Sequence, residues 1–312
     1  MRQLFEDVTN NIKKVIIGKD ETIRLILTSL ISGGHVLLDD VPGTGKTMLA
    51  KSLAKSIDSE FQRIQFTPDL LPSDVTGLNF FHQKENEFVF KKGPVFTNIL
   101  LGDEINRATP RTQSALLESM EEKQVTIDGE TRKLPLPYFV IATENPVETT
   151  GTFPLPEAQL DRFFMKLSMG EPTKEEEVQI LKRFMNQEPL QDLQPVCKGE
   201  DILEAGKQAR EVYVHPQLLE YIAEIAAESR VHSNILTGVS PRGSIALLHA
   251  AQSYAYILDR DFVTPEDIKA VAVPVLAHRL VLSQAAGAAH ADRDAIEKIL
   301  SAVPVPTEEW GK

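Results

Sequence analysis

The spacing of hydrophobic residues changes along the chain, and the change divides it into two parts. Up to residue 171, short apolar runs bounded by polar loops alternate with stretches in which apolar residues recur every three or four positions. The short runs predict buried strands, and the three-to-four spacing predicts amphipathic helices. Beyond residue 172 the β-rich runs stop and helical spacing continues alone. We therefore predict an α/β domain over residues 1–171 and an all-α domain over residues 172–312.

Five apolar runs in the first part predict the strands of one sheet. Helical stretches separate several of these runs, which favours a parallel sheet flanked by helices. The runs are residues 36–38, 61–66, 95–101, 138–142 and 163–167. In the second part, helices are predicted over residues 174–186, 201–212, 217–231, 241–258 and 265–277.

Two further pairs of β-rich runs predict hairpins. The first pair, residues 78–81 and 87–90, carries phenylalanines on both arms and flanks a polar tip. The alternative for this pair is two edge strands of the main sheet. The second pair, residues 124–127 and 130–132, is joined by Asp128-Gly129, the dipeptide that favours a tight hairpin turn.

The segment Asp40-Val-Pro-Gly-Thr-Gly-Lys-Thr47 joins the first predicted strand to a helix. Gly43 and Gly45 allow the backbone to curl, so that successive N–H groups point at phosphate oxygens. The N-terminus of the following helix presents its dipole to the same anion. Lys46 adds a positive charge, and the Thr47 hydroxyl is an oxygen ligand suited to Mg²⁺. The pattern predicts a phosphate-binding P-loop.

The full P-loop pattern begins with glycine, whereas this chain has Asp40 at that position. A carboxylate directed into the loop would repel phosphate. We therefore expect the Asp40 side chain to turn away from the bound nucleotide.

Polar residues follow two other predicted strands. Asp103 and Glu104 come after the run 95–101, and Asn145 follows the run 138–142. The carboxyl ends of parallel strands meet at the edge where open α/β sheets bind ligands. There Asp103 would hold Mg²⁺ through water, and Glu104 would act as the general base on the attacking water. The Asn145 amide can reach both the γ-phosphate and that water, although Asn145-Pro146 is also a common turn.

Three other candidate features have two interpretations each. Residues 16–18, which include Ile17 and Gly18, either form a wall of an adenine pocket or belong to an N-terminal helix that packs on the sheet. Arg162 is either a salt-bridged surface residue or an arginine finger that reaches a neighbouring subunit's γ-phosphate. Arg242 lies in the first turn of a helix capped by Ser240, an unfavourable place for a cation. Either an anion compensates its charge, or the side chain is solvated.

Composition narrows the functional classes. The 312-residue chain is 42% hydrophobic and 25% charged, as expected for a globular protein with a substantial core. Its net charge of −12 argues against general binding to nucleic acid or to an anionic membrane surface. The single cysteine, Cys197, cannot form an internal disulfide, which fits a cytoplasmic location. Its apolar stretches are too short to span a bilayer, so membrane insertion is not expected.

Five motifs occur in the order found in AAA+ ATPases, at residues 41–47, 103–107, 142–146, 160–163 and 240–242. The hairpin at 78–90 resembles a helix-2 insert, and the hairpin at 124–134 resembles a pre-sensor-1 hairpin. Together they resemble the MoxR group over nearly the whole chain, and an acidic residue at position 40 is familiar in that group. The resemblance implies a P-loop AAA+ core with a helical lid, using ATP and Mg²⁺.

The resemblance also implies roles for individual residues. Asp103 and Glu104 become the Walker B acids, Asn145 sensor 1, Arg162 the arginine finger and Arg242 sensor 2, although Arg107 or Arg111 could face a neighbour instead of Arg162. The predicted nucleotide contacts are Ile17, Gly18, Pro42, Gly43, Thr44, Gly45, Lys46, Thr47 and Met48, with Thr47 and Asp103 on Mg²⁺.

The family implies a homo-oligomeric ring, commonly a hexamer. It also implies a chaperone-like role in maturing a protein client or inserting metal into it, often beside proteins with a von Willebrand factor A domain. The main hypothesis is therefore an ATP-driven remodelling ATPase. One alternative is a nucleotide-gated binding module with negligible turnover, which would not need Glu104 as a base. Another is a DNA-directed AAA+ motor, which the negative charge and the acidic second hairpin disfavour.

Overall fold

The computed structural model describes residues 3–84, 86–145, 151–185, 188–283 and 291–306. The described helices are α1 (Gln3–Lys13), α2 (Asp20–Ile31), α3 (Lys46–Ser56), α4 (Pro72–Thr76), α5 (Pro110–Glu122), α6 (Glu157–Leu160), α7 (Lys174–Phe184), α8 (Pro189–Asp192), α9 (Gly199–Ala209), α10 (Pro216–Val231), α11 (Pro241–Ile257), α12 (Pro265–Leu276) and α13 (Ala291–Ala302). The described strands are β1 (Val36–Asp39), β2 (Phe61–Gln65), β3 (Gly77–His82), β4 (Glu87–Lys92), β5 (Ile99–Asp103), β6 (Gln124–Ile127), β7 (Glu130–Lys133), β8 (Phe139–Glu144), β9 (Met165–Leu167), β10 (Ile235–Thr237) and β11 (Val281–Leu282).

A five-stranded sheet in the order β2-β5-β8-β1-β9 forms the centre of the first domain. Every neighbouring pair of strands in it is parallel. All five strands overlap the predicted apolar runs, so the α/β core with a parallel sheet is confirmed. The parallel arrangement places the carboxyl ends of β1, β5 and β8 at one edge, where the predicted phosphate-binding and acidic residues follow them.

The central strands are apolar without alternation because helices cover both faces of the sheet. Val36 and Leu38 of β1 lie in the same hydrophobic cluster as Leu49 of α3. Leu37, between them, points to the opposite face and joins a second cluster that contains Leu116 of α5. Alternate side chains of one strand therefore support two helical layers, which hold the carboxyl edge of the sheet in place.

Each predicted hairpin forms its own two-stranded antiparallel sheet. For β3 and β4, this outcome excludes the alternative of two edge strands in the main sheet. The tight turn at Asp128 and Gly129 has positive φ at both residues, as the Asp-Gly signal predicts. The hairpins are also joined to each other. Asn79 Nδ2 donates to Asp128 Oδ2 at 2.8 Å, and the Arg132 guanidinium lies 4.2 Å from the centre of the Phe90 ring.

The second part of the chain is helical, as predicted, and α7, α9, α10, α11 and α12 correspond to the five predicted helices. Asn186, the predicted end of the first of them, lies outside the described residues. The sequence did not predict α8, α13 or the small antiparallel sheet of β10 and β11. These two strands are three and two residues long, too short to produce a recognisable alternation of polar and apolar positions.

The helical second part of the chain, which is the predicted lid, shares one continuous hydrophobic cluster with the first domain. The cluster includes Phe5 of α1 and Leu27 of α2 as well as Leu247 of α11 and Val271 of α12. The lid therefore packs on the N-terminal helices, and the division at residue 171 stays a prediction. Among the described residues, none of the helices combines the length and the apolar character needed to cross a membrane.

A buried histidine at the start of β1 makes stability depend on pH. Val140 N donates to His35 Nδ1 at 3.0 Å, so Nε2 carries the proton and donates to Met120 O at 3.0 Å. Burial, opposed by the hydrogen bond to Met120 and aided by nearby Lys123, lowers the pKa of His35 to about 4. The unfolded chain, with an ordinary histidine pKa, binds a proton that the folded chain excludes. The contribution of neutral His35 to the free energy of unfolding is therefore complete above pH 6.5 and is lost as the pH falls towards 4.

We expect wild type to lose about 2 kcal/mol more unfolding free energy than His35→Gln between roughly pH 7 and pH 5. Glutamine retains one donor and one acceptor without titrating. Urea denaturation of both proteins at the two pH values measures the difference, and shared contributions from other buried groups cancel. Equal losses in the two proteins would contradict the assignment.

Candidate active site

The loop after β1 has the backbone that the P-loop pattern requires. Gly43 and Gly45 have φ values of +89° and +90°. A Cβ added to Gly43 would meet nothing within 4 Å, so conformation rather than space requires glycine there. Helix α3 begins at Lys46 without a side-chain cap, which leaves its first backbone N–H groups directed at the loop. These features suit an anion at the start of α3.

Asp40 contacts Lys46 through its backbone and residues 168–170 through its side chain. The Lys46 side chain is buried, and its Nζ donates to the backbone oxygen of Asp40 at 2.8 Å. The Asp40 carboxylate accepts hydrogen bonds from Ser168 Oγ at 2.6 Å, Met169 N at 2.7 Å and Gly170 N at 3.1 Å. The side chain thus turns towards residues 168–170 and away from the loop, which confirms the expectation from sequence.

The two acids after β5 are joined to β8 through one hydroxyl. Thr143 Oγ1 donates to Asp103 Oδ1 at 2.7 Å and accepts from Glu104 N at 2.9 Å. Thr143 is completely buried, so it fixes both acids relative to the sheet. Glu104 has φ +58° and ψ +51°, a left-handed conformation uncommon for a residue other than glycine. Sequence reasoning missed Thr143, although it lies two residues before the predicted Asn145.

Residues of β2 also bind the two acids. Arg63 Nη2 donates to Asp103 Oδ2 at 2.6 Å, and Gln65 Nε2 donates to Glu104 Oε2 at 2.7 Å. Arg107 Nη1 donates to the same Glu104 oxygen at 3.0 Å. Sequence reasoning missed Arg63 and Gln65. Their alternate spacing places both on one face of β2, but only the pairing of Gln65 with Asp103 brings that face to the acids.

Strand β8 lies between β1 and β5, so its end lies between the P-loop and the acid pair. Asn145, at that end, is buried, and its backbone oxygen accepts from Asn106 Nδ2 at 3.5 Å. Pro146 lies outside the described residues. Burial raises the pKa of the preceding Glu144; Lys166 opposes this shift and Asp39 adds to it.

The remaining predicted nucleotide contacts lie around the same loop. Thr47 and Met48 belong to the first turn of α3, while Pro42 and Thr44 lie in the loop itself. Ile17 is buried and Gly18 has φ +71°. The Glu176 carboxyl group of α7 occupies the place where a Gly18 Cβ would stand. The first turn of α7 therefore packs on the segment that was predicted to line an adenine pocket.

Arg162 and Arg242 come together at a different place. Arg162 Nε lies 3.3 Å from Glu121 Oε2, and Arg242 Nη2 lies 3.4 Å from Glu121 Oε1. Arg242 Nε also lies 3.7 Å from Asp161 Oδ2, so carboxylates supply the anion for its half-exposed side chain. Asp161 Oδ1 accepts from Arg279 Nε at 2.8 Å. Burial lowers the pKa of Arg279, and Asp161 opposes this shift. Sequence reasoning missed Arg279 and Glu121.

This arginine cluster lies at the amino edge of the sheet. Arg162 precedes β9, which runs parallel to β1 with Met165 beside Val36. Lys46 follows the carboxyl end of β1. The four residues of β1 alone separate the two edges by roughly 10 Å. Within one chain, therefore, Arg162 and Arg242 do not reach the loop that carries Lys46.

Comparison with known proteins identifies the family. Residues 35–165 match the ATPase family associated with various cellular activities (AAA), and residues 227–299 match the AAA lid domain. The chain is 48% identical to the uncharacterized protein YeaC of Bacillus subtilis, with 99% of this chain and 97% of YeaC covered. It is 41% identical to Chaperone MoxR1 of Mycobacterium tuberculosis, with 98% and 82% covered.

The crystal structure of a protein from Cytophaga hutchinsonii, assigned as an ATPase, superposes with a TM-score of 0.91 at 42% identity. The match covers 98% of this chain and 96% of that one. Sequence relatives and fold thus agree along nearly the entire chain. The chain belongs to the MoxR-type AAA+ ATPases and hydrolyses ATP.

Proposed function

We propose that this ATPase forms a ring that binds ATP between adjacent copies and uses its hydrolysis to remodel a protein client. The observation that carries the proposal is the separation of the two parts of the site. Lys46, Asp103 and Glu104 lie at one edge of the sheet, whereas Arg162 and Arg242 lie at the other. A head-to-tail arrangement joins the two edges of different copies, and such contacts generate a ring when the rotation between copies closes.

In this proposal the acidic side chains have separate roles. Glu104 accepts a proton from the attacking water, after Gln65 and Arg107 release its carboxylate. The Thr47 hydroxyl and the Asp103 carboxylate are hard oxygen donors at one edge of the sheet, and this donor set fits Mg²⁺. The ion, when bound, neutralises charge on the phosphate oxygens. Thr143 keeps Asp103 in place through its hydrogen bond.

The other residues position the nucleotide and sense it. Lys46 binds the β- and γ-phosphates, together with backbone N–H groups of the Gly43–Gly45 loop. Asn145 orients the attacking water, because its buried position lies between that loop and the acid pair. Ile17 and Gly18 line the adenine pocket. Arg162, and with it Arg242, stabilises charge on a neighbour's γ-phosphate, where an arginine supplied in trans acts in related phosphoryl transfer.

The exposed surface of the first hairpin supports a protein client. Phe81 and Phe88 are directly opposite each other on β3 and β4, with ring centres 5.4 Å apart. Their side chains are 48% and 73% exposed. The base of the same hairpin is held by the second hairpin through Asn79 and Phe90. An aromatic pair at the end of a supported hairpin is suited to apolar segments of an unfolded chain.

The finer assignments belong to the same proposal. They are a hexameric ring, a cytoplasmic location and a client that matures or receives metal, with a von Willebrand factor A protein as partner. A nucleotide switch without turnover accounts less well for the residues of the site, because such a switch would not need Glu104 as a general base. A DNA-directed motor is disfavoured by the net charge of −12 and by Asp128 and Glu130 on the second hairpin.

We expect Phe81→Ser/Phe88→Ser to lose stimulation of ATPase activity by unfolded casein, while basal turnover stays within about two-fold of wild type. The phenylalanines lie on the separate sheet of β3 and β4, so we expect them to contact the probe chain without forming part of the phosphate loop. Leu219→Ser, which replaces a similarly exposed apolar residue of α10, is the matched control. Retained casein stimulation in the double variant would exclude this hairpin as the client surface. Collapse of basal turnover would show that the pair belongs to the ATP site.

A further inference from the structure

The first residue of the phosphate-binding loop is attached to the segment from which the lid begins. We call residues 168–176, between β9 and the first turn of α7, the lid root. The Asp40 carboxylate is buried and accepts three hydrogen bonds from the lid root, one from a hydroxyl and two from backbone N–H groups. Gly170, the last donor, has φ +63°, a conformation that strongly favours glycine.

The lid root is also bound to the first turn of α2 and to the residue before that helix. Lys19 Nζ donates to the backbone oxygen of Glu171 at 3.2 Å, and Thr22 Oγ1 donates to the backbone oxygen of Ser168 at 3.4 Å. Glu176 packs on Gly18. Its carboxylate also accepts from the backbone N of Thr173 at 2.8 Å, which caps α7. The lid root therefore contacts both the loop that binds phosphate and the segment that lines the proposed adenine pocket.

The opposite side of Asp40 contacts the phosphate-binding lysine. Lys46 Nζ donates to the Asp40 backbone oxygen at 2.8 Å. When phosphate binds, it offers the Lys46 ammonium group a stronger acceptor. A hydrogen bond between two charged groups is stronger than a hydrogen bond to a neutral carbonyl. The carbonyl of Asp40 then loses its donor. Since the carboxylate of the same residue holds residues 168–170, we expect a shift of Asp40 to move the lid root, which leads into α7.

We propose that Asp40 is a positioning residue that couples phosphate binding at Lys46 to the placement of the lid. Its carboxylate takes no part in phosphate binding, since it points at residues 168–170. Glycine at this position would leave the Met169 and Gly170 N–H groups without that acceptor and would remove the connection. The proposal rests on the ATPase activity alone and does not depend on ring assembly or on the client.

The test compares Asp40→Asn and Ser168→Ala with wild type. Asparagine has nearly the same shape but turns an amide group towards donors, and alanine removes the hydroxyl donor from the other side of the contact. We expect ATP affinity to stay within about three-fold, whereas turnover falls about ten-fold or more. Hydrogen exchange should show that ATP still protects residues 43–49 but no longer protects residues 168–184.

Further variants separate coupling from general damage. Ser168→Thr retains the hydroxyl and should behave as wild type, and Glu171→Gln removes an exposed charge from the lid root without touching Asp40. The double variant should be no worse than the worse single variant, because both single changes disrupt one contact. Thermal unfolding checks that each protein is folded. Should Asp40→Asn fail to fold, Ser168→Ala and Ser168→Thr carry the comparison.

Two results would overturn the proposal. Unchanged turnover and unchanged ATP-dependent protection of residues 168–184 in folded Asp40→Asn and Ser168→Ala would show that the contact transmits nothing. A loss of ATP affinity of about ten-fold or more, with normal turnover at saturating ATP, would place Asp40 in phosphate binding instead.

Discussion

Replacing Glu104 with glutamine is expected to lower ATP turnover by about two to four orders of magnitude while ATP binding persists. Glutamine can still accept the hydrogen bonds that hold this side chain, but it cannot take a proton from water. The contribution of Glu104 arises in the transition state, so its loss lowers the maximal rate and leaves ground-state affinity in place. Calorimetric ATP titration and steady-state phosphate release measure the two quantities separately.

Lys46→Ala is expected to show a different pattern, because Lys46 contacts phosphate before any reaction begins. Its buried ammonium group donates a hydrogen bond to the Asp40 backbone oxygen, which phosphate can replace. ATP binding should therefore be lost along with turnover. Glu122→Gln, which changes an exposed carboxylate of α5, controls for a general effect of charge. Near-normal turnover in Glu104→Gln would exclude Glu104 as the base.

Arg162→Ala is expected to reduce turnover by about three to five orders of magnitude if, as proposed, Arg162 acts on a neighbour's nucleotide. Mixing this inactive variant with inactive Glu104→Gln should restore part of the activity. In mixed rings, a copy with intact Glu104 can lie beside a copy with intact Arg162. The measurement is phosphate release from mixed oligomers whose composition has been verified by native mass spectrometry.

Arg107 provides a matched comparison because it contacts Glu104 of its own chain, at 3.0 Å. Arg107→Ala mixed with Glu104→Gln should show no recovery of turnover. Each site would need both Arg107 and Glu104 from one copy, and every copy in the mixture lacks one of them. Recovery with Arg107→Ala but not with Arg162→Ala would assign the trans role to Arg107. Full activity of a strictly monomeric protein would contradict the proposed ring.

The elements whose signals are local were predictable from the sequence. The apolar run of β1, the positive-φ glycines and the amphipathic α3 occur within about twenty consecutive residues, and they define the phosphate loop without any distant contact. The acids after β5 and the Asp128-Gly129 turn are equally local. The direction of the Asp40 side chain was also predictable, since a carboxylate would repel phosphate.

The hydrogen-bond partners of the Asp40 carboxylate were not predictable, because they lie 128 to 130 residues further along the chain. The same limit applies to Thr143, which binds Asp103 across a separation of 40 residues, and to Arg63 on the other neighbouring strand. Periodicity indicates that these strands exist, but it carries no information on which strands become neighbours. Sheet order alone brings these side chains to one edge.

The arginines show the difference most clearly. The sequence by itself determined that Arg162 lies near a short strand and that Arg242 lies in the first turn of a helix. Only the tertiary structure decided that both contact Glu121 at the amino edge, away from Lys46. The physical reason is that the parallel pairing of β9 with β1 and the packing of the lid set these positions. Both depend on contacts between segments far apart in the chain, whereas the phosphate loop depends on local backbone conformation.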